Sequence, residues 1–217
     1  MKLLLKKELC FTAAPLSYFF LAFSVMGFIP NYPILVGAFF TCLGIFKTFQ
    51  AAREGNDVLY TVLLPVKKRD VVRARYLFVA LVQMAAFVLC AVVAALRMTV
   101  MSGGVYAANT LMNANLFYLG WVLLIFADFQ VVFCGGFWKD AYRIGVPFLL
   151  FGITAFVMIG LAETIHHMPG LAALNTPWGM PGVQVGFLAG SAAVYGLSTV
   201  LSCRRAEARF ETIDLNL

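Results

Sequence analysis

The stretch 76-YLFVALVQMAAFVLCAVVAAL-96 carries no charged side chain and a single amide, Gln83. As a helix it would be roughly 32 Å long at about 1.5 Å per residue, enough to cross the hydrocarbon core of a bilayer. Five further apolar runs flank it, at 13–29, 34–50, 114–136, 144–163 and 183–202. The whole chain of 217 residues is 62% hydrophobic and only 12% charged, with a mean hydropathy of +0.90. Soluble domains are about 45–50% apolar and about 25% charged. A soluble globular protein is therefore excluded as the leading class, and so is disorder, which needs low hydrophobicity and high charge. The expected fold is all-α and integral to the membrane: six transmembrane helices in one domain spanning residues 1–217. The first run is not read as a cleaved signal, because its apolar core is long and no small-x-small site follows before Pro30. Pro30-Asn31-Tyr32-Pro33 turns the first two spans into a helical hairpin.

Basic residues set the orientation. With the N-terminus inside, 15 of the 16 Lys and Arg residues fall on one side, in the N-terminal segment, the loop from span two to span three with its flanks (47–75), the turn after span four and the C-terminal tail. Only Arg97 falls on the other. The positive-inside rule makes the crowded side, with both termini, cytoplasmic. The net charge of +6 is thus topology signal and headgroup contact, and no nucleic-acid partner is implied. The outer loops, 98–113 and 164–182, are rich in Gly, Asn, Thr, Ser and Pro. The five cysteines stand singly with no CxxC pair, which favours buried thiols over a disulfide or zinc framework.

The loop between spans two and three is the most informative segment. Asn56 or Asp57 is a good N-cap for a short helix, and Pro65 ends it by disfavouring the α conformation at Leu64. Val58, Leu59, Val62 and Leu63 fall on one face of that helix, which must meet lipid headgroups or another protein. A basic segment containing Arg69 follows and can reach phospholipid phosphates.

Within the spans, Asp128 is the one deep acid. Gln83 and Asp128 would lie at similar depths, about 10–14 Å from the inner edge, and a hydrogen bond between them is expected, because intramembrane polar groups find partners. Gly182, Gly186 and Gly190 repeat every four residues, a spacing that lets helices approach closely within the chain or across a dimer. Glu163 and His167 have helical spacing beside His166, but no third ligand accompanies them, so no metal site is expected. Trp121, Trp138, Trp178 and Tyr142 sit near span boundaries and read as interface anchors.

The order of features, a basic N-terminal segment, a span hairpin, Glu54, then Leu63-Leu64-Pro65-Val66-x-x-Arg69-x-x-Val72-x-x-Arg75-Tyr76 and four more spans, resembles the small six-span permease subunits of type-2 ATP-binding-cassette exporters, including permeases of bacterial peptide exporters. A weaker echo is Gly135-Gly-Phe-Trp-Lys-Asp-Ala-Tyr-Arg143. The resemblance implies a coupling helix in the first cytoplasmic loop, with Glu54, Asn56, Asp57, Leu59, Tyr60, Leu63, Pro65 and Arg69 meeting an ATPase. It also implies an interfacial connecting helix over Lys2–Cys10. The implied partners are two copies of a cytosolic ABC ATPase and a second permease, identical or different, in contact with membrane lipids. ATP and Mg would then sit on the ATPase, with no cofactor in this chain, consistent with the lack of a GxxxxGK[ST] loop. The implied role is half of an export path for amphipathic or hydrophobic cargo, peptide or lipid, in the plasma membrane of a bacterium. Phe19, Phe23, Phe39 and Phe148 are candidates for the path wall. The alternative is a stand-alone secondary transporter or channel using Asp128, although no repeat is visible. An intramembrane enzyme ranks last, because no acid, histidine or nucleophile cluster shares one depth.

Overall fold

A computed structural model describes residues 2–106, 109–139 and 143–212. Tyr142 and part of the 135–143 turn lie outside the described residues. The long apolar runs become helices because a backbone in hydrocarbon must satisfy its own N–H and C=O groups. In chain order these are α1 (Lys2–Thr12), α2 (Pro15–Phe28), α3 (Val36–Glu54), α4 (Asp57–Val62), α5 (Lys68–Thr99), α6 (Leu116–Phe137), α7 (Gly145–Ile165) and α8 (Pro181–Thr212). Short 3₁₀ turns at Gly104–Tyr106 and Ala172–Asn175 interrupt the loops.

Among the described residues, α5, α6, α7 and α8 are long and apolar enough to cross a membrane. The pair α1–α2, bent by 89° at its break, brings the number to as many as five. The first expected run, 13–29, is not a regular α-helix. Only Pro15–Phe19 is α-helical, and Phe20–Phe28 continues as 3₁₀-helix. The tighter coil rises about 2 Å per residue rather than about 1.5 Å, so α2 reaches roughly 25 Å with few residues. It packs tightly on α3: a Cβ added at Gly44 would stand 2.6 Å from Phe20 Cβ. The run 34–50 becomes α3, whose C-terminal half carries Lys47, Arg53 and Glu54 and falls short of the apolar length of the others.

Helix α6 is the centre of the bundle, with 72% of its apolar window buried, against 11% for α8. Its N-cap, Asn115, accepts the Tyr118 N–H at 3.0 Å and donates to the Leu174 carbonyl at 2.7 Å. The buried residues of α8 include the polar Gln184, Ser191, Tyr195 and Ser202, and Phe187 packs beside them against α6. Val183, Val185, Val194, Leu197, Val200 and Leu201 point outward, the inverse of a soluble helix and the pattern lipid favours. The close approach between α6 and α8 is made by Gly120, whose missing Cβ gives room to the Phe187 ring. Gly182, Gly186 and Gly190 have open space where a Cβ would stand. They therefore pack nothing within the chain, which corrects the intramolecular half of that expectation.

Trp121 and Trp138 are corrected as well. Both are buried, Trp121 against Phe117 and Phe187, and Trp138 against Phe137 and Phe210, whereas Trp178 is exposed as an anchor would be.

Candidate functional site

The basic end of the bundle gathers three elements around α4. Asn56 stands at the N-cap position with φ +50°, in the left-handed region that Asn tolerates, and makes no side-chain cap bond. The Asp57 carboxylate faces cations of two other helices. Lys7 Nζ donates to Asp57 at 2.6 Å and to Thr61 Oγ1 at 2.8 Å. Arg75 Nη2, from α5, donates to Asp57 Oδ2 at 2.7 Å. Arg75 Nε lies 2.6 Å from Glu8 Oε2, and the guanidinium stands over the Phe49 ring at 5.2 Å. Lys7 also pairs with Glu8 at 3.2 Å. The side chains of Arg75 and Glu8 are each 1% exposed. Two cations and two carboxylates thus form a neutral, largely buried cluster that ties α1, α4 and α5 together. Two charges removed from water are tolerated only when so partnered.

The cluster fixes which face of α4 points where. Val58 and Val62, four residues apart, pack against the core, and Leu59 is half-buried. Tyr60, Leu63 and Leu64 are 64%, 59% and 55% exposed. They lie at i, i+3 and i+4 and form one outward apolar patch. The expected face of Val58, Leu59, Val62 and Leu63 is therefore divided between an inward and an outward side. Beside the patch, Glu54 is exposed and accepts from Gln50 Nε2 at 3.2 Å, and Pro65 is exposed. Arg69 lies further off, donating to Glu211 at 2.7 Å, and Arg73 makes a two-pronged contact to Glu207 at 2.8 and 2.9 Å. These bonds strap the C-terminal end of α8 to α5. The Arg73 guanidinium holds the Glu207 carboxyl below the ordinary glutamate range.

Sequence reasoning missed Lys7, Glu8 and Arg75 as members of this site. One signal was available: Glu8 is the only acid ahead of Glu54. The Lys2–Cys10 segment expected as an interfacial helix is α-helical only to Lys7 and then widens into a π-turn over Glu8–Thr12. Leu3 and Phe11 are each 83% exposed.

Inside the bundle, Gln83 and Asp128 do not pair. Gln83 Oε1 accepts from Gln130 Nε2 and from Tyr195 OH, both at 3.0 Å, while its Nε2 donates to the Phe126 carbonyl at 3.3 Å. Ser202 Oγ donates to the Gln130 carbonyl at 2.8 Å and meets Tyr76 OH at 2.9 Å. Gln130, at the start of the π-helical stretch Phe129–Cys134, faces Gln83, while Asp128 lies on another side of the helix. There Asp128 Oδ2 accepts from Thr154 Oγ1 of α7 at 2.6 Å.

The four candidate path residues belong to one run of rings. Phe19 meets Phe23 at 6.2 Å, Phe23 meets Phe40 at 4.7 Å, Phe40 meets Phe39 at 6.1 Å, and Phe39 meets Phe148 at 6.3 Å. The run crosses α2, α3 and α7.

At the opposite end, Glu163 Oε2 accepts the Met112 N–H at 2.8 Å, and His166 Nε2 lies 3.2 Å from the Thr110 carbonyl. Both side chains hold the 109–113 loop.

A family model described as "ABC-2 family transporter protein" matches residues 2–207. No curated protein and no solved structure matches the chain.

Proposed function

Because this chain belongs to the ABC-2 transporter family, and is thus a multi-pass membrane transport subunit, we propose that it forms half of an export path driven by a separate ATPase. The basic end is cytoplasmic, with both termini inside and six crossings contributed by α2, α3, α5, α6, α7 and α8. Helix α4 is the coupling helix. The observation that carries this reading is its outward patch of Tyr60, Leu63 and Leu64, held by a buried ion cluster. An exposed apolar patch at the end of a membrane bundle marks a contact with a protein or the membrane surface, and membership of this family favours an ATPase. The cluster gives the patch a rigid lever: a push on α4 is felt at once by α1 and α5 through Asp57. A cytosolic ABC ATPase in two copies supplies the push, with ATP and Mg bound there. A second permease, identical or different, completes the path. The aromatic run across α2, α3 and α7 suits amphipathic or hydrophobic cargo, peptide or lipid, in a bacterial plasma membrane.

The test is co-purification of the tagged chain from native membranes, followed by ATPase activity in lipid nanodiscs. The expected result is a soluble ATPase that binds the wild-type chain and is lost from the Tyr60→Asp/Leu63→Asp double variant. A chain that transports alone, or a double variant that keeps the ATPase, overturns the reading.

A further inference from the structure

On the flank of α8 away from α5, the residues Ser198, Leu201, Arg205 and Arg209 recur at helical spacing and share one face. This face and the wall of α6 around Val131 enclose a groove of ≈ 320 Å³. That is the size of a small ligand pocket. The groove is divided by chemistry along its length. Leu201 and Val131, 50% and 45% exposed, form an apolar wall at the depth where the run 183–202 ends. One turn further, Arg205 and Arg209 stand at the mouth. Arg209 Nη1 donates to the Gly135 carbonyl at 3.2 Å, which steers its guanidinium to the α6 side. Among the described residues, Arg205 has no carboxylate within ion-pair distance, and no carboxylate lines the groove.

The other flank of α8 provides the contrast. A groove of ≈ 350 Å³ there also has arginines at its mouth, Arg73 and Arg204. Glu207 lies among them and occupies Arg73 with two hydrogen bonds. The two grooves are alike in size and apolar wall. They differ in that, among the described residues, one has no carboxylate beside its two arginines.

We propose that the α6–α8 groove binds one anionic diacyl phospholipid of the cytoplasmic leaflet. Its phosphate sits between Arg205 and Arg209, and an acyl chain lies along Leu201 and Val131. Two guanidinium forks match phosphate oxygens in geometry and charge. Basic pockets between transmembrane helices on the cytoplasmic side recognise anionic headgroups. The apolar wall argues for a lipid over a soluble protein, because it lies at hydrocarbon depth. The inference rests on one part of the reading above, that this end of α8 lies in the cytoplasmic headgroup layer.

The test is native mass spectrometry of the full chain in detergent, titrated with dioleoyl-phosphatidylglycerol and, separately, with dioleoyl-phosphatidylcholine. The wild-type chain is expected to retain phosphatidylglycerol well above phosphatidylcholine. R205A/R209A is expected to weaken phosphatidylglycerol retention roughly 10- to 30-fold, the scale of two lost basic contacts. R204A, on the opposite flank, leaves it unchanged. L201W keeps both arginines, fills the apolar wall and lowers retention as well; it carries the test should R205A/R209A fail to fold. Equal retention of the two lipids by the wild type, or unchanged phosphatidylglycerol retention in folded R205A/R209A and L201W, overturns the proposal. So does a result in which R205A/R209A keeps its lipid and loses only a co-purifying ATPase, since the arginines then serve the protein partner. A micelle has no sides, so this binding is read independently of orientation. Side-specific labelling of a cysteine in the C-terminal tail tests orientation separately.

Discussion

The two ends of the bundle are fastened by opposite chemistries. At the basic end, Lys7, Glu8, Asp57 and Arg75 hold three helices through full charges. At the other end the fastening is almost all amide. Asn109 Oδ1 accepts the Asn31 N–H at 2.9 Å, Asn175 Oδ1 accepts the Asn113 N–H at 2.7 Å, and Asn175 Nδ2 donates to the Leu111 carbonyl at 3.0 Å. The single cation there, Arg97, is spent on the Gly27 carbonyl, on Asn113 and on the face of Tyr106. Neutral amides fix the loops through shared hydrogen bonds, and losing one leaves no buried charge behind. A charge cluster is cooperative: withdraw one member and the rest keep a net charge with too few partners. On the reading proposed above, the basic end transmits a displacement that the amide end does not.

That contrast breaks most visibly at Arg75. Arg75→Ala should destabilise the chain by about 3–5 kcal/mol, because Glu8 and Asp57 are then left with Lys7 as the one cation between them. A thermal scan in detergent measures it. Removing Glu8 as well should recover part of the loss, so a double-mutant cycle over Arg75 and Glu8 should show strong coupling. Simple addition of the two losses would mean the groups are not one cluster. At the amide end, Asn115→Ala removes the cap of α6 and the bond to Leu174, for about 1–2 kcal/mol. It should add independently to an Asn175→Ala change, unless the outer loops also act as one unit.

Packing between α6 and α8 gives a prediction of similar size. Gly120→Leu drives a side chain into Phe187 and should cost about 1–3 kcal/mol. Gly186→Leu meets open space and should leave the isolated chain unaffected. Any effect of Gly186→Leu on assembly, read by cross-linking in membranes, would then report a contact between chains.

These cases mark how far the sequence could be read. Apolar length located α5, α7 and α8 closely, since hydrocarbon thickness alone dictates it. It gave no warning that Phe20–Phe28 would tighten into 3₁₀-helix or that Phe129–Cys134 would widen into π-helix. Both depend on neighbours distant in sequence. The expected Gln83–Asp128 pair failed because depth was estimated from rise while azimuth was not: Gln130, two residues on, takes the side toward Gln83. The short helix at 57–62 was legible from its breakers, but its rotation was not. Asp57, read as a cap, is drawn inward by Lys7 and Arg75, and this turns Tyr60 and Leu64 outward. The glycine repeat in α8 followed a known spacing, yet the close contact used Gly120, whose partner ring no local pattern reveals.

The smallest expected effect lies at the edge of the basic end, where α5 and α8 are strapped by Arg73–Glu207. Arg73 holds the Glu207 carboxyl below its ordinary range, so the folded state binds this proton less readily than the unfolded chain. Its contribution to stability is therefore fully present above the ordinary glutamate range and is lost as pH falls through the lowered folded value. Arg73 is half-exposed, so solvent screens the pair and the shift in a thermal scan should be near the limit of resolution. Glu207→Gln should flatten that part of the acid limb and do nothing near neutrality beyond the loss of one weak pair. The buried cluster must behave otherwise if charge placement is what separates the two straps. Glu8→Gln should lower stability already at neutral pH, because Arg75 then keeps its charge with half its counter-charge removed. Equal neutral-pH losses for Glu8→Gln and Glu207→Gln would show that burial does not distinguish them, and the lever attributed to α4 would lose its physical basis.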